Sequence, residues 1–81
     1  IDPNNPTGAV YPEATRRQLI DLAERAGVPI LADEVYGDLG FEGPSPLIGS
    51  LSPDAPILSF SSLSKAYVAP GWRAGWLAVG R

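Results

Sequence analysis

The chain has 81 residues, of which 44% are hydrophobic and 19% charged, and its formal net charge is -3. This composition is typical of a globular chain and excludes a disordered one, because the apolar content is ordinary and the net charge is small. The absence of cysteine and histidine excludes disulfides and the usual zinc sites, so no metal site is predicted. The few basic residues are scattered, which gives no support to nucleic-acid binding. No apolar run approaches the ~20 residues that a membrane-spanning helix needs.

The length is short for an independent domain. A chain of this size buries only a little over half of the surface that its unfolded form exposes. It begins at Ile1 without a methionine or a signal sequence, and it stops at Arg81 directly after an apolar stretch. We therefore expect residues 1–81 to be an internal fragment of a larger protein, called the parent protein below. The isolated fragment is predicted to be unstable and inactive.

The first predicted elements are a tight loop and an amphipathic helix. Residues 1–8 contain two prolines, two asparagines and a glycine, which favour a preset loop. Pro12 suits the first turn of a helix, and Gly27 suits its C-terminal end. Apolar and charged side chains recur at helical spacing on different sides. We expect an apolar face of Leu19, Leu22, Ala23 and Ala26, and a polar side carrying mostly Arg16, Arg17, Asp21, Glu24 and Arg25.

Three strands are predicted, at residues 28–32, 57–60 and 75–79. The first two are continuous apolar runs, as in strands that are covered on both faces of a sheet. Between them, residues 37–56 hold four prolines and four glycines, so we expect an irregular connector with a short helical turn near residues 46–50. A loop rather than a helix joins the last two strands, which predicts that the third is antiparallel. The order predicts an α/β fold with a mainly parallel sheet and helices packed on it.

Polar side chains follow the predicted strands at the places where ligands gather in open α/β sheets. They are Asn5, then Asp33 with Tyr36, then Ser62 with Lys65. For Asn5, the strand is one that is expected to end at the apolar residue Ile1. Lysine is almost never buried without a partner, and a desolvated lysine becomes a nucleophilic amine suited to Schiff-base chemistry. Lys65 is expected to project from a loop at the end of a buried strand.

Each of these residues also has a structural interpretation. The asparagines are common turn formers, and Asp33 could cap the turn after its strand. Tyr36 could be a core aromatic with its hydroxyl at the rim, and Lys65 could be an ordinary solvated lysine. Glu34 could simply be solvated.

The segment after Lys65 carries a further arginine among aromatic residues. Arg73 lies beside Trp72 and close to Trp76, so cation–π packing is one explanation for it. Both tryptophans are expected in the core.

Three segments together resemble the consecutive motifs of the class I/II aminotransferases. They are Asn-Pro-Thr-Gly at residues 5–8, Asp-Glu-Val-Tyr at residues 33–36, and Ser-Leu-Ser-Lys at residues 62–65, followed eight residues later by Arg73. Members of that family are pyridoxal 5'-phosphate (PLP) enzymes of the aspartate aminotransferase fold, also called fold type I. The resemblance covers nearly the whole chain and looks closest to the alanine and tyrosine aminotransferase branch. It implies that residues 1–81 belong to the PLP-binding large domain.

The resemblance also implies a role for each matching residue. Lys65 matches the lysine that forms the Schiff base with PLP and later moves the proton. Asp33 matches the carboxylate facing the pyridine nitrogen, where it keeps that nitrogen protonated. Tyr36 and Asn5 match groups that hydrogen-bond the phenolic oxygen of the ring, and the asparagine of the family also reaches the substrate carboxylate. The family often has a cis bond at the position that Asn5 and Pro6 occupy.

Ser62 and Arg73 match phosphate ligands, and a planar guanidinium is a natural partner of a phosphate. Many relatives have glycine at the position of Ser62. The resemblance places the glycine-rich phosphate loop, the aromatic that stacks on the ring, and the arginine that binds the substrate carboxylate outside this chain.

The implied function is ping-pong transfer of an amino group between an amino acid and a 2-oxo acid by a cytoplasmic homodimer that binds neither nucleic acid nor membrane. Two alternatives share these residues. One is a PLP-dependent carbon–sulfur lyase or synthase of the same fold, because removal of the Cα proton is common to all of them. The other is a transcription regulator that keeps an aminotransferase-like domain as a ligand sensor.

Overall fold

The computed structural model describes residues 1–80. An N-terminal loop leads into helix α1 (Glu13–Ala26), which is followed by strands β1 (Ile30–Asp33), β2 (Ile57–Ser62) and β3 (Gly75–Val79). The strands form one sheet in the order β1-β2-β3, in which β1 is parallel to β2 and β2 is antiparallel to β3. The predicted α/β class and the reversed third strand are therefore confirmed.

Helix α1 ends at the glycine that the sequence indicates. Gly27 has a φ of 66°, a left-handed conformation that side chains with a Cβ rarely adopt. Its N–H donates to the carbonyl of Glu24 at 3.2 Å, and the N–H of Val28 donates to the carbonyl of Ala23 at 3.1 Å. These two bonds form a Schellman motif, which satisfies carbonyls at the end of the helix. Pro12 lies at the N-cap, one residue before the helix begins.

The buried face of α1 agrees with the predicted one only at Ala23. Arg16, Ile20 and Ala23 are the buried residues of the helix, whereas 39% of Leu19 and 57% of Leu22 is exposed. The prediction is confirmed for Ala23 and wrong for the two leucines, because hydrophobic periodicity shows which side chains could be covered, not which stripe of the helix meets the sheet. Arg16, assigned to the polar side, is buried because its charge and hydrogen-bond donors have partners inside the fold.

The core lies between α1, the connector and one face of the sheet. The cluster of buried side chains consists of Ile20, Ile48, Ala55 and Ile57, and Ile30, Ala32 and Leu51 pack against it. The connector contributes two short 3-10 helices, Gly37–Leu39 and Ile48–Leu51. The second of these lies at the place of the predicted helical turn, and it carries Ile48 into the core.

The opposite face of the sheet is uncovered. Phe60 pairs with Leu77 across β2 and β3, and Leu58 pairs with Val79, so their side chains share one face. Of these, Phe60 is 40%, Leu77 59% and Val79 69% exposed, and Leu31 of β1 is 69% exposed. The prediction that the strands are covered on both faces is therefore wrong for this chain, in which residues 1–80 cover one face only.

The core assignment of the two tryptophans is also wrong. Trp72 is 79% exposed and Trp76 is 48% exposed. A large aromatic residue is buried only where a second surface packs on it, and these two lie in and beside the last loop, where residues 1–80 supply no such surface. As for membrane segments, no helix within residues 1–80 has both the length and the apolar character to cross a bilayer.

We expect the isolated 81-residue chain to unfold without a sharp cooperative transition. Its core is small, no large side chain in it is fully buried, and one apolar sheet face is open to water. Urea denaturation followed by far-ultraviolet circular dichroism should give a broad, shallow curve, and the chain should bind 8-anilinonaphthalene sulfonate without denaturant. A single steep transition with no dye binding would contradict this expectation.

Candidate active site at the carboxyl ends of the parallel strands

Three loops meet at one edge of the sheet. Because β1 and β2 are parallel, with Asp33 opposite Phe60, both strands end at the same edge. Ser62, the last residue of β2, pairs with Gly75, so the loop of residues 63–74 leaves and re-enters the sheet there. The N-terminal loop joins this edge through the N–H of Asp2, which donates to the carbonyl of Asp33 at 3.1 Å. The loops that carry the candidate residues thus converge as predicted.

Asn5 and Tyr36 are in direct contact. The Asn5 Nδ2 donates to the Tyr36 hydroxyl at 3.2 Å, across 31 residues of sequence. The turn-forming role belongs to Asn4, whose side-chain oxygen accepts a hydrogen bond from the Thr7 hydroxyl at 2.8 Å. The side chain of Asn5 is thereby left for Tyr36. The Asn5–Pro6 peptide bond is cis, as the resemblance implied.

Asp33 is partly buried and does cap the turn after its strand. Its Oδ1 accepts a hydrogen bond from the N–H of Val35 at 3.2 Å. This bond orients the carboxylate, and the other oxygen accepts no hydrogen bond from residues 1–80. A capping role and a ligand-binding role are therefore compatible at Asp33. Oδ1 accepts the capping bond, and Oδ2 is left for a ligand.

Glu34 is not solvated, so that expectation was wrong. The residue is 7% exposed, and its Oε2 accepts a hydrogen bond from the N–H of Ile48 at 3.0 Å. Its Oε1 is buried without a partner among the described residues. Glu34 thus holds the connector against the end of β1. Only the position of this acid directly after a strand that was predicted to be covered could have indicated its burial from the sequence.

The loop of residues 63–74 has a constrained backbone. Val68 has a φ of 52° and Arg73 a φ of 51°. Left-handed backbone is rare for a β-branched residue and costs on the order of 1–3 kcal/mol. Two backbone hydrogen bonds close the loop in this shape. The N–H of Leu63 donates to the carbonyl of Ala74, and the N–H of Ala69 donates to the carbonyl of Leu63, each at 3.1 Å.

Lys65 lies on this loop and is exposed. Its carbonyl accepts a hydrogen bond from the N–H of Val68 at 3.2 Å, while its side chain makes no hydrogen bond or ion pair with residues 1–80. Within the described part of the chain Lys65 is therefore a solvated lysine, and desolvation of its amine would have to come from other parts of the parent protein or from a bound ligand.

Ser62 and Arg73 lie at the two ends of the same loop. The Ser62 hydroxyl accepts a hydrogen bond from the N–H of Ser64 at 3.2 Å. Arg73 is exposed, and its Nη1 donates to the carbonyl of Pro70 at 3.1 Å. The remaining guanidinium donors make no hydrogen bond within residues 1–80, which leaves them for an anion.

A groove of about 630 Å³ lies between the N-terminal loop and the connector. Asn4 and Tyr36 line it, but Asp33, Lys65 and Arg73 do not. The groove therefore reaches the candidate residues only at Tyr36. The remaining candidates lie along an open edge of the sheet rather than in an enclosed cavity.

Comparison with known proteins identifies the family. A family model described as aminotransferase class I and II matches residues 2–81. The chain belongs to this family. It is 46% identical over 81 residues to nicotianamine aminotransferase A of Hordeum vulgare, and 44% identical over 80 residues to tyrosine aminotransferase of Homo sapiens. These matches cover 98% and 96% of this chain but only 17% of each relative.

Solved aminotransferase structures share the fold. The alanine aminotransferase of Pyrococcus furiosus superposes with a TM-score of 0.90 at 38% identity, over 96% of this chain and 20% of that one. A double mutant of Thermus thermophilus aspartate aminotransferase gives a TM-score of 0.87 at 35% identity, over 98% of this chain and 20% of that one. The resemblance is confirmed, and the α/β fold is that of fold type I aminotransferases. The roles of the individual site residues stay predictions.

We expect Glu34→Ala to destabilise the parent protein by about 1–3 kcal/mol, because it leaves the buried N–H of Ile48 without its acceptor. Glu34→Gln should cost less, since its amide oxygen can accept the same bond. The difference is measured as the shift in the midpoint of urea unfolding. Equal midpoints for the two variants would show that the hydrogen bond to Ile48 contributes nothing.

Proposed function

We propose that the chain is an internal part of the PLP-binding large domain of an aminotransferase, and that the parent protein transfers an amino group between an amino acid and a 2-oxo acid. The observation that carries this proposal is the convergence of the matching residues at one edge of the sheet, where Asn5 already contacts Tyr36. The family membership supports the same reaction.

The residues at this edge fit PLP by their chemistry. They provide a carboxylate with one oxygen available (Asp33), an amide–hydroxyl pair (Asn5 and Tyr36), an accessible primary amine (Lys65) and a guanidinium with unused donors (Arg73). When bound, PLP supplies an electron sink for the negative charge that forms at the substrate Cα.

Asp33 would hold the pyridine nitrogen in its protonated form, because a nearby carboxylate favours the charged state of that nitrogen. Its bond to Val35 keeps the carboxylate oriented for this contact. The amine of Lys65 would hold the cofactor at its aldehyde carbon. Once a substrate occupies the site, the free amine of Lys65 would accept the proton from the substrate Cα and return it.

Tyr36 and Asn5 would bind the phenolic oxygen of the cofactor. Since the Tyr36 hydroxyl accepts its hydrogen bond from Asn5, the hydroxyl proton of Tyr36 is left to donate to that oxygen. Ser62 and Arg73 would bind the phosphate, with Arg73 as the main ligand because a guanidinium can bind it through two donors. We further propose that the parent protein is a cytoplasmic homodimer that binds neither nucleic acid nor membrane, as the family resemblance implied.

We expect Lys65→Ala in the parent protein to abolish the visible absorption band of the lysine-bound cofactor and to slow amino transfer by roughly 10²–10⁴-fold or more, because the amine that moves the proton is gone. The matched control is Lys65→Arg, which keeps the positive charge but cannot form the covalent bond and should behave like Lys65→Ala. Retention of the band in Lys65→Ala would rule out Lys65 as the anchor.

Product analysis separates transamination from the lyase alternative. We expect the parent protein, incubated with an amino acid and no 2-oxo acid, to release one 2-oxo acid per active site and to retain the amino group on its cofactor. Mass spectrometry of the products and of the extracted cofactor measures both. Continuous release of ammonia or of a thiol would instead identify an elimination reaction.

A further inference from the structure

An ion pair between a buried arginine and a partly buried aspartate joins α1 to the N-terminal loop. Arg16 is 3% exposed, and its Nε donates to the Asp2 Oδ2 at 2.7 Å. Burying a guanidinium is costly unless it is paired and hydrogen-bonded, so the location of Arg16 depends on Asp2. Its neighbour Arg17 pairs with Glu13 at 2.8 Å, but those two side chains are 55% and 61% exposed.

Arg16 also binds the connector. Its Nη1 donates to the carbonyl of Pro46 at 2.8 Å, and its Nη2 donates to the Ser45 hydroxyl at 2.5 Å. Each guanidinium nitrogen therefore has a partner, and one side chain joins α1, the N-terminal loop and the connector. The planar fork of arginine suits such a junction, because its donors point in fixed directions.

Asp2 connects this pair to the candidate site. Its Oδ1 accepts a hydrogen bond from the N–H of Tyr11 at 3.1 Å, so both carboxylate oxygens are engaged. Its own N–H donates to the carbonyl of Asp33, the residue matched to the pyridine nitrogen. Asp2 thus fixes where the N-terminal loop lies on the end of β1, and Asn5 follows three residues later.

We propose that Arg16 and Asp2 are positioning residues, whose ion pair sets the N-terminal loop on the end of β1 and so holds the Asn5 side chain against Tyr36 for cofactor binding. This inference rests on the function proposed above. Neither residue belongs to the motifs that resemble the family. Without the guanidinium, the Asp2 carboxylate would keep only its bond from the N–H of Tyr11, and the backbone bond from Asp2 to Asp33 would be left to hold the loop on β1. The loop would then be free to shift away from Tyr36.

A double-mutant cycle with Asn5 tests the inference in the parent protein. The measured quantity is the PLP dissociation constant, obtained by titrating the cofactor-free protein. We expect Arg16→Met to weaken PLP binding by about 2- to 10-fold, the loss that one misplaced hydrogen bond produces. In the Asn5→Ala background the same change should have no further effect, because Asn5 then has no contact to lose. Effects that multiply in the double variant would overturn the proposal.

Three further variants distinguish positioning from general stability. Arg16→Lys loses the bonds to Ser45 and Pro46 but can still pair with Asp2. It should therefore restore most of the PLP affinity that Arg16→Met loses. Ser45→Ala removes one connector contact and should lower the unfolding midpoint without changing the dissociation constant. Arg17→Met is the matched control. It removes an exposed pair with Glu13 and a long exposed bond of 3.4 Å to the carbonyl of Leu51, and it should change neither quantity. A loss of affinity in Ser45→Ala equal to that in Arg16→Met would overturn the proposal.

Hydrogen exchange gives a readout that needs no cofactor. The amide of Asp2 donates to the carbonyl of Asp33, and the amide of Tyr11 donates to the Asp2 carboxylate. We expect Arg16→Met to speed hydrogen exchange at both amides, whereas Arg17→Met should not. If unaltered parent protein showed no saturable PLP binding, the proposed function would fail, and this measurement would still decide the role of the ion pair. Unchanged exchange in Arg16→Met would overturn it.

Discussion

Strand β1 runs parallel to β2, and β3 pairs antiparallel with β2, so the loops after β1 and β2 reach the same edge of the sheet. Parallel pairing has this consequence because both carboxyl ends meet at one edge. The N-terminal loop joins these two loops there through the bond from Asp2 to Asp33. Asp33 ends the first strand, Ser62 ends the second, and the loop between β2 and β3 presents Lys65 and Arg73. An antiparallel pairing of β1 with β2 would have separated Asp33 from Lys65 by the length of a strand.

Buried charge fixes the irregular segments around this edge. The two buried charged residues among residues 1–80 are Arg16 and Glu34, and both bind the connector. Arg16 donates to Ser45 and Pro46, and Glu34 accepts from Ile48. The connector forms backbone bonds of its own, such as that from the N–H of Ser45 to the carbonyl of Gly37 at 2.8 Å. The bonds to the buried side chains tie it to α1 and to the end of β1. The same arginine, through Asp2, holds the N-terminal loop.

The uncovered sheet face supports the proposal that the chain is part of a larger domain. The exposed side chains of Leu31, Phe60, Leu77 and Val79 form an apolar surface of the kind that is normally packed against another element. The exposed side chain of Lys65 fits the same proposal, because a lysine that acts as a nucleophile needs a less aqueous environment than residues 1–80 provide.

The sequence by itself determined the local elements and the candidate residues. Proline and glycine set the ends of α1, apolar runs located the strands, and β3 begins at Gly75 and ends at Val79 as predicted. Local signals suffice for these features, because backbone preference and periodicity act over a few residues. The motif order likewise identified the family before any contact was known.

Only the tertiary structure decided which side chains are buried. Arg16 lies inside because Asp2 and Pro46, which are 14 and 30 residues away, meet it there. Leu22 and Trp72 are exposed because no described element packs on them. Periodicity and hydrophobicity report what a side chain could bury, whereas burial itself depends on partners that only the folded chain brings together.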